Sequence, residues 1–110
     1  VFIAVYRMRL KPGHEDQYAR DWHAVTQEAI DRYGSGGSAL FRGDDDVWTA
    51  IARWPDRAAR QRFFERTGFD PVLRARQADA VTERLPTLEL DCVDDLWVPF
   101  PAPPNDEDRS

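Results

Sequence analysis

Tyr6, His23 and a group of large aromatic residues are the side chains of this sequence with chemistry to offer. A buried phenol can donate a hydrogen bond to a phenol or quinone oxygen of a ligand, or it can simply satisfy a backbone acceptor in a core. Imidazole gains and loses its proton near neutrality, so His23 is a candidate base if it reaches a pocket mouth, and otherwise a solvated residue at the edge of a helix stripe. Trp22, Phe41, Trp48, Trp54, Phe63 and Phe64 could wall a site for a flat aromatic ligand, with small Ala4, Ala50 and Ala52 between them. The same alternation of small and large residues also describes a filled core.

Other chemistries lack their residues. The two histidines, His14 and His23, do not make an H-x-x-x-H pair, so no metal site is expected. Cys92 stands alone, which rules out a disulfide within the chain and reads as an inert packed thiol. The sequence has no P-loop, no G-x-G-x-x-G and no G-x-S-x-G. Net charge is −5 and the arginines are scattered among twenty acids, so nucleic acid is not an expected partner. The first ten residues alternate rather than forming an apolar leader, and no run approaches a membrane span, so a cytoplasmic location is expected.

The elements that must position these residues follow from periodicity. Phe2 to Leu10 alternates with period two and predicts a strand, stopped by Lys11-Pro12-Gly13. From His14 to Tyr33 the period lengthens, with Tyr18, Trp22, Val25, Ala29 and Tyr33 on one helix face and Glu15, Asp16, Arg20, Asp21, Glu28 and Asp31 on the other. Residues 38 to 54 read as a hairpin around Gly43-Asp44-Asp45-Asp46. Asp56 and Asp70-Pro71 are helix starts, giving a second helix in two pieces, one stopping near Gly68 and one running to about Leu85. Thr87 to Val98 is the predicted last strand, with a bulge at Asp94-Asp95. Residues 99 to 110 read as a mobile tail beyond a single domain of residues 1 to 98.

The order β-α-β-β-α-β is the split βαβ pattern, hence a ferredoxin-like α+β domain with an antiparallel four-stranded sheet. One sheet face is predicted to collect Phe2, Ala4, Tyr6, Met8, Phe41, Trp48, Ala50, Ala52, Trp54, Leu88, Leu90 and Cys92 under the helices. The other collects Ile3, Val5, Arg7, Arg9, Leu40, Thr49, Ile51, Arg53, Glu89, Asp91 and Val93. Taking strands one and three as parallel neighbours brings the arginines and acids of this face to one end. Its aliphatic end calls for a second copy, so a homodimer through this face and the C-terminal strand is expected.

The opening strand followed by Lys11-Pro12-Gly13 and an acidic helix start resembles the antibiotic biosynthesis monooxygenase-like family. So do Ala52-Arg53-Trp54-Pro55-Asp56-Arg57 and the final strand with its late acids. The resemblance spans about residues 1 to 98 and implies a dimeric α/β barrel. It further implies oxidation of a small aromatic or polyphenolic compound by molecular oxygen, without metal or prosthetic group. Haem-degrading relatives use an Asn, a Trp and a His. Here strand one has no Asn, Asn105 lies in the tail, and the helix after Trp54 has no His, so haem degradation is not implied. The alternative is a non-catalytic homodimer that binds a small apolar ligand or serves a structural or stress-related role.

Overall fold

The computed structural model describes residues 1 to 66 and 70 to 100. The predicted stop near Gly68 and most of the predicted tail lie outside these residues. The described residues form eight elements: β1 (Phe2–Leu10), α1 (Glu15–Tyr33), β2 (Ser38–Arg42), β3 (Trp48–Trp54), α2 (Arg57–Phe64), α3 (Pro71–Ala80), β4 (Val81–Arg84) and β5 (Leu88–Asp91). Every strand pairing is antiparallel. The fold is α+β, with three helices and a five-stranded sheet.

Local chemistry explains most boundaries. Gly34 ends α1 in the left-handed region at φ 74°, and its N–H bonds the Ala29 carbonyl. Asp56 caps α2 by accepting from the Ala59 N–H at 2.8 Å, and Asp70 caps α3 by accepting from Val72 and Leu73. Pro71 occupies the first turn of α3, where its missing N–H is not needed.

β1 is the centre of the sheet. β3 runs along one of its edges from Phe2 to Met8. β4 and β5 share the other edge end to end, β4 against Met8–Leu10 and β5 against Phe2–Val5. β5 is the expected last strand in shortened form, and β4 is an additional strand made of residues expected to be helical, separated from β5 by Leu85-Pro86-Thr87. The helix before it stops at Ala80, five residues sooner than expected, because Val81 and Thr82 join the sheet beside Arg9 and Leu10. The last strand ends at Asp91. Leu96, Trp97 and Val98 are not in a strand and are 84%, 81% and 77% exposed.

The helices cover one sheet face in two packed clusters. Phe2, Ala4, Ala52 and Trp54 meet Ala29 of α1 and Ala59 and Phe63 of α2. Met8 meets Tyr18 of α1 and Ala80 of α3, with Trp22 and Trp48 against them. Asp21, expected on the solvent side of α1, is buried. It accepts from Arg76 of α3 at 2.6 and 2.8 Å and from Gln17 at 2.9 Å.

Register corrects three expectations about the faces. β1 and β3 are antiparallel, not parallel, so Arg53 lies across from Ile3 and Arg7 across from Thr49, at opposite ends. The expected charge cluster on the outer face therefore does not form. β5 is turned over. Glu89 and Asp91 pair with Ala4 and Phe2 on the helix face, while Leu88 and Leu90 join Val5 and Ile3 outside. β2 is turned over as well, so Phe41 pairs with Thr49 and faces outward, half exposed. Among the described residues, no helix is long and apolar enough to cross a membrane.

Candidate functional site

A network of polar groups on the helix side surrounds Tyr6. Its strand partner is Ala50 on β3. On its other side the sheet edge is interrupted between β4 and β5, where the Leu85 N–H reaches the Arg7 carbonyl and Pro86 has no N–H to offer. Tyr6 packs against both core clusters, and its ring stands edge-on to Phe64 at 6.4 Å.

α2 supplies the partner. Ala59 and Phe63 bury its inner face. Arg57 and Arg60, three residues apart, then share the side that overlooks β5. Arg60 Nε donates to Tyr6 Oη at 2.8 Å, and Arg60 Nη1 donates to Glu89 at 2.9 Å. Arg57 donates to the other Glu89 oxygen at 3.2 Å and to Asp91 at 3.4 Å. The Arg60 guanidinium lies 4.9 Å from the Phe64 ring centroid, and Arg57 lies 4.4 Å from that of Phe2. Glu89 thus holds Arg60 through Nη1, and the guanidinium lies near the rings of Phe64, Tyr6 and Phe2.

Burial raises the Tyr6 pKa, and the hydrogen bond and charge of Arg60 oppose that rise. The phenol stays protonated near neutrality. Because its oxygen accepts from Arg60, its own O–H remains able to donate, polarised by a cation. Such a pair can donate to an oxygen that carries or acquires negative charge. Burial also raises the Tyr18 pKa, but its hydroxyl faces Met8 Sδ at 3.9 Å inside the second cluster.

The other expected site residues do not gather into one pocket. Trp54 and Phe63 belong to the first cluster; Trp22 and Trp48 pack on the second. Phe64 is beside Tyr6 and 55% exposed. Phe41 is on the opposite sheet face. His23 is exposed on α1, as is His14 just before it. None of the hydrogen bonds among the described residues links His23 to Tyr6. The same residues hold no group of three or more His, Cys, Asp or Glu placed to bind a metal.

A concavity of about 490 Å³ lies on the outer sheet face. Ile3, Val5, Phe41, Ile51, Leu90 and Trp97 are among its walls. Cys92, expected in the core, also opens onto it and is exposed. Sequence reasoning missed Arg60. Its signal was the Arg57-x-x-Arg60 spacing set against Glu89-x-Asp91.

Neither a family model nor a curated protein matches the sequence. Solved structures match the fold. SnoaB from Streptomyces nogalater, a cofactor-independent oxygenase, superposes with a TM-score of 0.71 at 16% identity, over 86% of this chain and 95% of its own. Rv0793 from Mycobacterium tuberculosis gives 0.70 at 14%, over 87% and 98%. An antibiotic biosynthesis monooxygenase gives 0.68 at 17%, over 86% and 100%. The likeness is one of fold, and the fold is that of the antibiotic biosynthesis monooxygenase-like proteins.

Proposed function

We propose that this chain, sharing the fold of the antibiotic biosynthesis monooxygenases, is itself a cofactor-independent monooxygenase for a small aromatic substrate. The observation that carries the reading is the Tyr6–Arg60 pair at 2.8 Å, set among aromatic rings at the interrupted sheet edge. Support from relatives comes from SnoaB, an oxygenase of the same fold that needs no cofactor.

The substrate class is a phenolic compound with an acidic CH2 between unsaturated groups. Tyr6 O–H donates to its phenolic or enolic oxygen, and Arg60 stabilises the negative charge that develops there. Loss of the C–H proton to solvent gives a carbanion that reduces O2. A C–O bond forms, and the resulting hydroperoxide loses water. The balance is CH2 + O2 → C=O + H2O, with all four electrons supplied by the substrate. His23, exposed on α1, has no part in this reading.

The working unit proposed is a homodimer. Ile3, Val5, Ile51, Leu88 and Leu90 line a sheet face that a second copy would cover, Trp97 borders the same face, and Leu96 and Val98 beside it are exposed. The test of the catalytic reading is oxygen uptake with 1,8-dihydroxyanthrone and related phenols. Tyr6→Phe should lower the rate about 10²–10³-fold, the loss expected for one oxyanion donor. No uptake by the wild-type chain across the panel, or an unaltered Tyr6→Phe rate, refutes it. A second reading, a non-catalytic dimer that holds an apolar ligand, is favoured by the outer-face concavity and predicts binding to that face without oxygen uptake.

A further inference from the structure

α2 and β5 meet through four charged side chains that alternate in sign. Asp91, Arg57, Glu89 and Arg60 follow one another in a chain of hydrogen bonds that ends on Tyr6 Oη. Folding stability does not account for this chain. The Arg57 and Glu89 side chains are 54% and 46% exposed, and ion pairs so open to water add little to stability. β5 nonetheless carries Glu89 and Asp91, and not its leucines, on the helix side.

The geometry of a guanidinium gives the chain a use. The group is planar, and its donors have fixed directions. Nε–H and one Nη2–H leave the same edge in parallel, while Nη1 lies on the far side. Arg60 turns the first edge to Tyr6, through Nε at 2.8 Å, and gives Nη1 to Glu89 at 2.9 Å. Nη2 is thereby brought beside Tyr6 Oη, and it has no acceptor among the described residues. The Arg60 side chain is not sealed off, being 20% exposed. Glu89 is itself anchored, since its second oxygen accepts from Arg57. Without Glu89 the long Arg60 side chain would regain rotamer freedom and could turn its fork elsewhere.

We infer that Glu89 is a positioning residue, which aims the Nε–Nη2 edge of Arg60 at Tyr6 so that a ligand oxyanion is taken by two donors at once, Tyr6 O–H and Arg60 Nη2–H. The ligand oxygen is that of a phenolate or enolate, which can accept two hydrogen bonds, one of them from a cation. The inference rests on the reading of Tyr6 and Arg60 as the oxygen-binding pair, and adds the acid that aligns them.

The test is Glu89→Gln in the full chain. Gln keeps the volume, but its one carbonyl cannot serve both arginines. Burial is the main influence raising the Tyr6 pKa, Arg60 lowers it by hydrogen bond and charge, and the charge of Glu89, the smallest influence, raises it. If Glu89 acted on Tyr6 by charge alone, the variant phenol would ionise at lower pH. If Glu89 aligns Arg60, the guanidinium is released and the phenol ionises at higher pH. The second result is expected in the ultraviolet phenolate titration, taken relative to Tyr6→Phe. In an Arg60→Met background the direction should reverse, because only the charge of Glu89 is left to act. Binding of 4-nitrophenolate, followed by calorimetry, should weaken about tenfold in Glu89→Gln, the loss of one hydrogen bond to a charged group. Arg60→Met should remove that effect, so that Glu89→Gln causes no further weakening there. Should Glu89→Gln fail to fold, Glu89→Asp, which keeps the charge and shortens the reach, should give the same rise and the same weakening.

A Tyr6 titration that falls or stays in place in Glu89→Gln overturns the inference. So does a further weakening of 4-nitrophenolate binding by Glu89→Gln in the Arg60→Met background, or a wild-type chain that does not bind 4-nitrophenolate. Oxygen uptake separates this inference from the proposed reaction. A rising titration and tenfold weaker binding, with no uptake on any phenol, sustain the role of Glu89 and remove the monooxygenase reading. Uptake that depends on Tyr6, with a falling titration in Glu89→Gln, does the reverse.

Discussion

Replacing Asp21 by Asn should be one of the most damaging isosteric changes in this chain. The carboxylate is buried, and its two oxygens take Arg76 Nη2 at 2.6 Å and Nε at 2.8 Å. Gln17 Nε2 donates to the same oxygen as Nη2, at 2.9 Å. α3 has little else to hold it, since Ala80 is its one buried residue. Asn keeps the volume but turns one acceptor into a donor facing the guanidinium. Hydrogen bonds to charged groups contribute about 1.5–3 kcal/mol each, and a buried pair broken on one side loses more. Arg76 is nearly half exposed and regains water, which lowers the total. A loss of about 2 kcal/mol follows, a fall in melting temperature of roughly 10 °C for a domain of this size.

The pH dependence provides the control. The Arg76 hydrogen bond is the main influence holding the Asp21 carboxyl below its usual range, and it outweighs burial, which pushes the other way. A depressed folded pKa contributes stability that is complete above the unfolded value and is lost as pH falls through the folded one. The gap between wild type and Asp21→Asn, read by urea unfolding, should be constant above about pH 5 and close below about pH 4. A variant within 0.5 kcal/mol of wild type at neutral pH, the range of an ordinary surface change, would sink the argument. So would a gap that does not narrow in acid.

Two further outcomes test the site and the assembly. Arg60→Met removes the hydrogen bond and charge that oppose burial at Tyr6. The Tyr6 phenol should then ionise at still higher pH, seen in the ultraviolet phenolate titration relative to Tyr6→Phe; an unchanged curve means Arg60 does not govern Tyr6. Ile51→Lys places a charge in the middle of the outer sheet face, opposite Val5. Sedimentation should show a dimer for wild type and a monomer for the variant, and a monomeric wild type at micromolar concentration rules out the proposed interface.

The sequence made some levels of this fold legible and hid others. Period two in β1, the stripe Tyr18-Trp22-Val25-Ala29-Tyr33 and the caps Asp56 and Asp70 are local signals, and local hydrogen bonding honoured them. The facing of β2 and β5 is a register property, fixed by a partner strand rather than by the strand itself. In β5 hydrophobicity pointed the wrong way. At this margin the helix side is closed by Arg57 and Arg60, so acids turn inward to meet them and leucines turn out. Asp21 was hidden because its partner Arg76 lies 55 residues away. Of the candidate site, Tyr6 and its neighbour Phe64 could be read from the aromatic pattern. Arg60 carries no local mark; only its spacing from Arg57, set against Glu89 and Asp91 at 29 and 34 residues' separation, points to it.

The position of β1 has a consequence for how the chain reaches this state. Its neighbour on one edge is residues 48–54, and on the other it is residues 81–84 and 88–91. Of these strands β1 is synthesised first, and it is the last to acquire both partners. At synthesis rates of roughly 5–20 residues per second, an alternating apolar strand waits several seconds with an open edge. Closure across so much sequence is intrinsically slow. During that interval α1 can form, and its apolar stripe is a nearby surface able to shelter Phe2, Ala4 and Met8. Folding yield should therefore respond to changes in the α1 stripe that barely alter the finished structure.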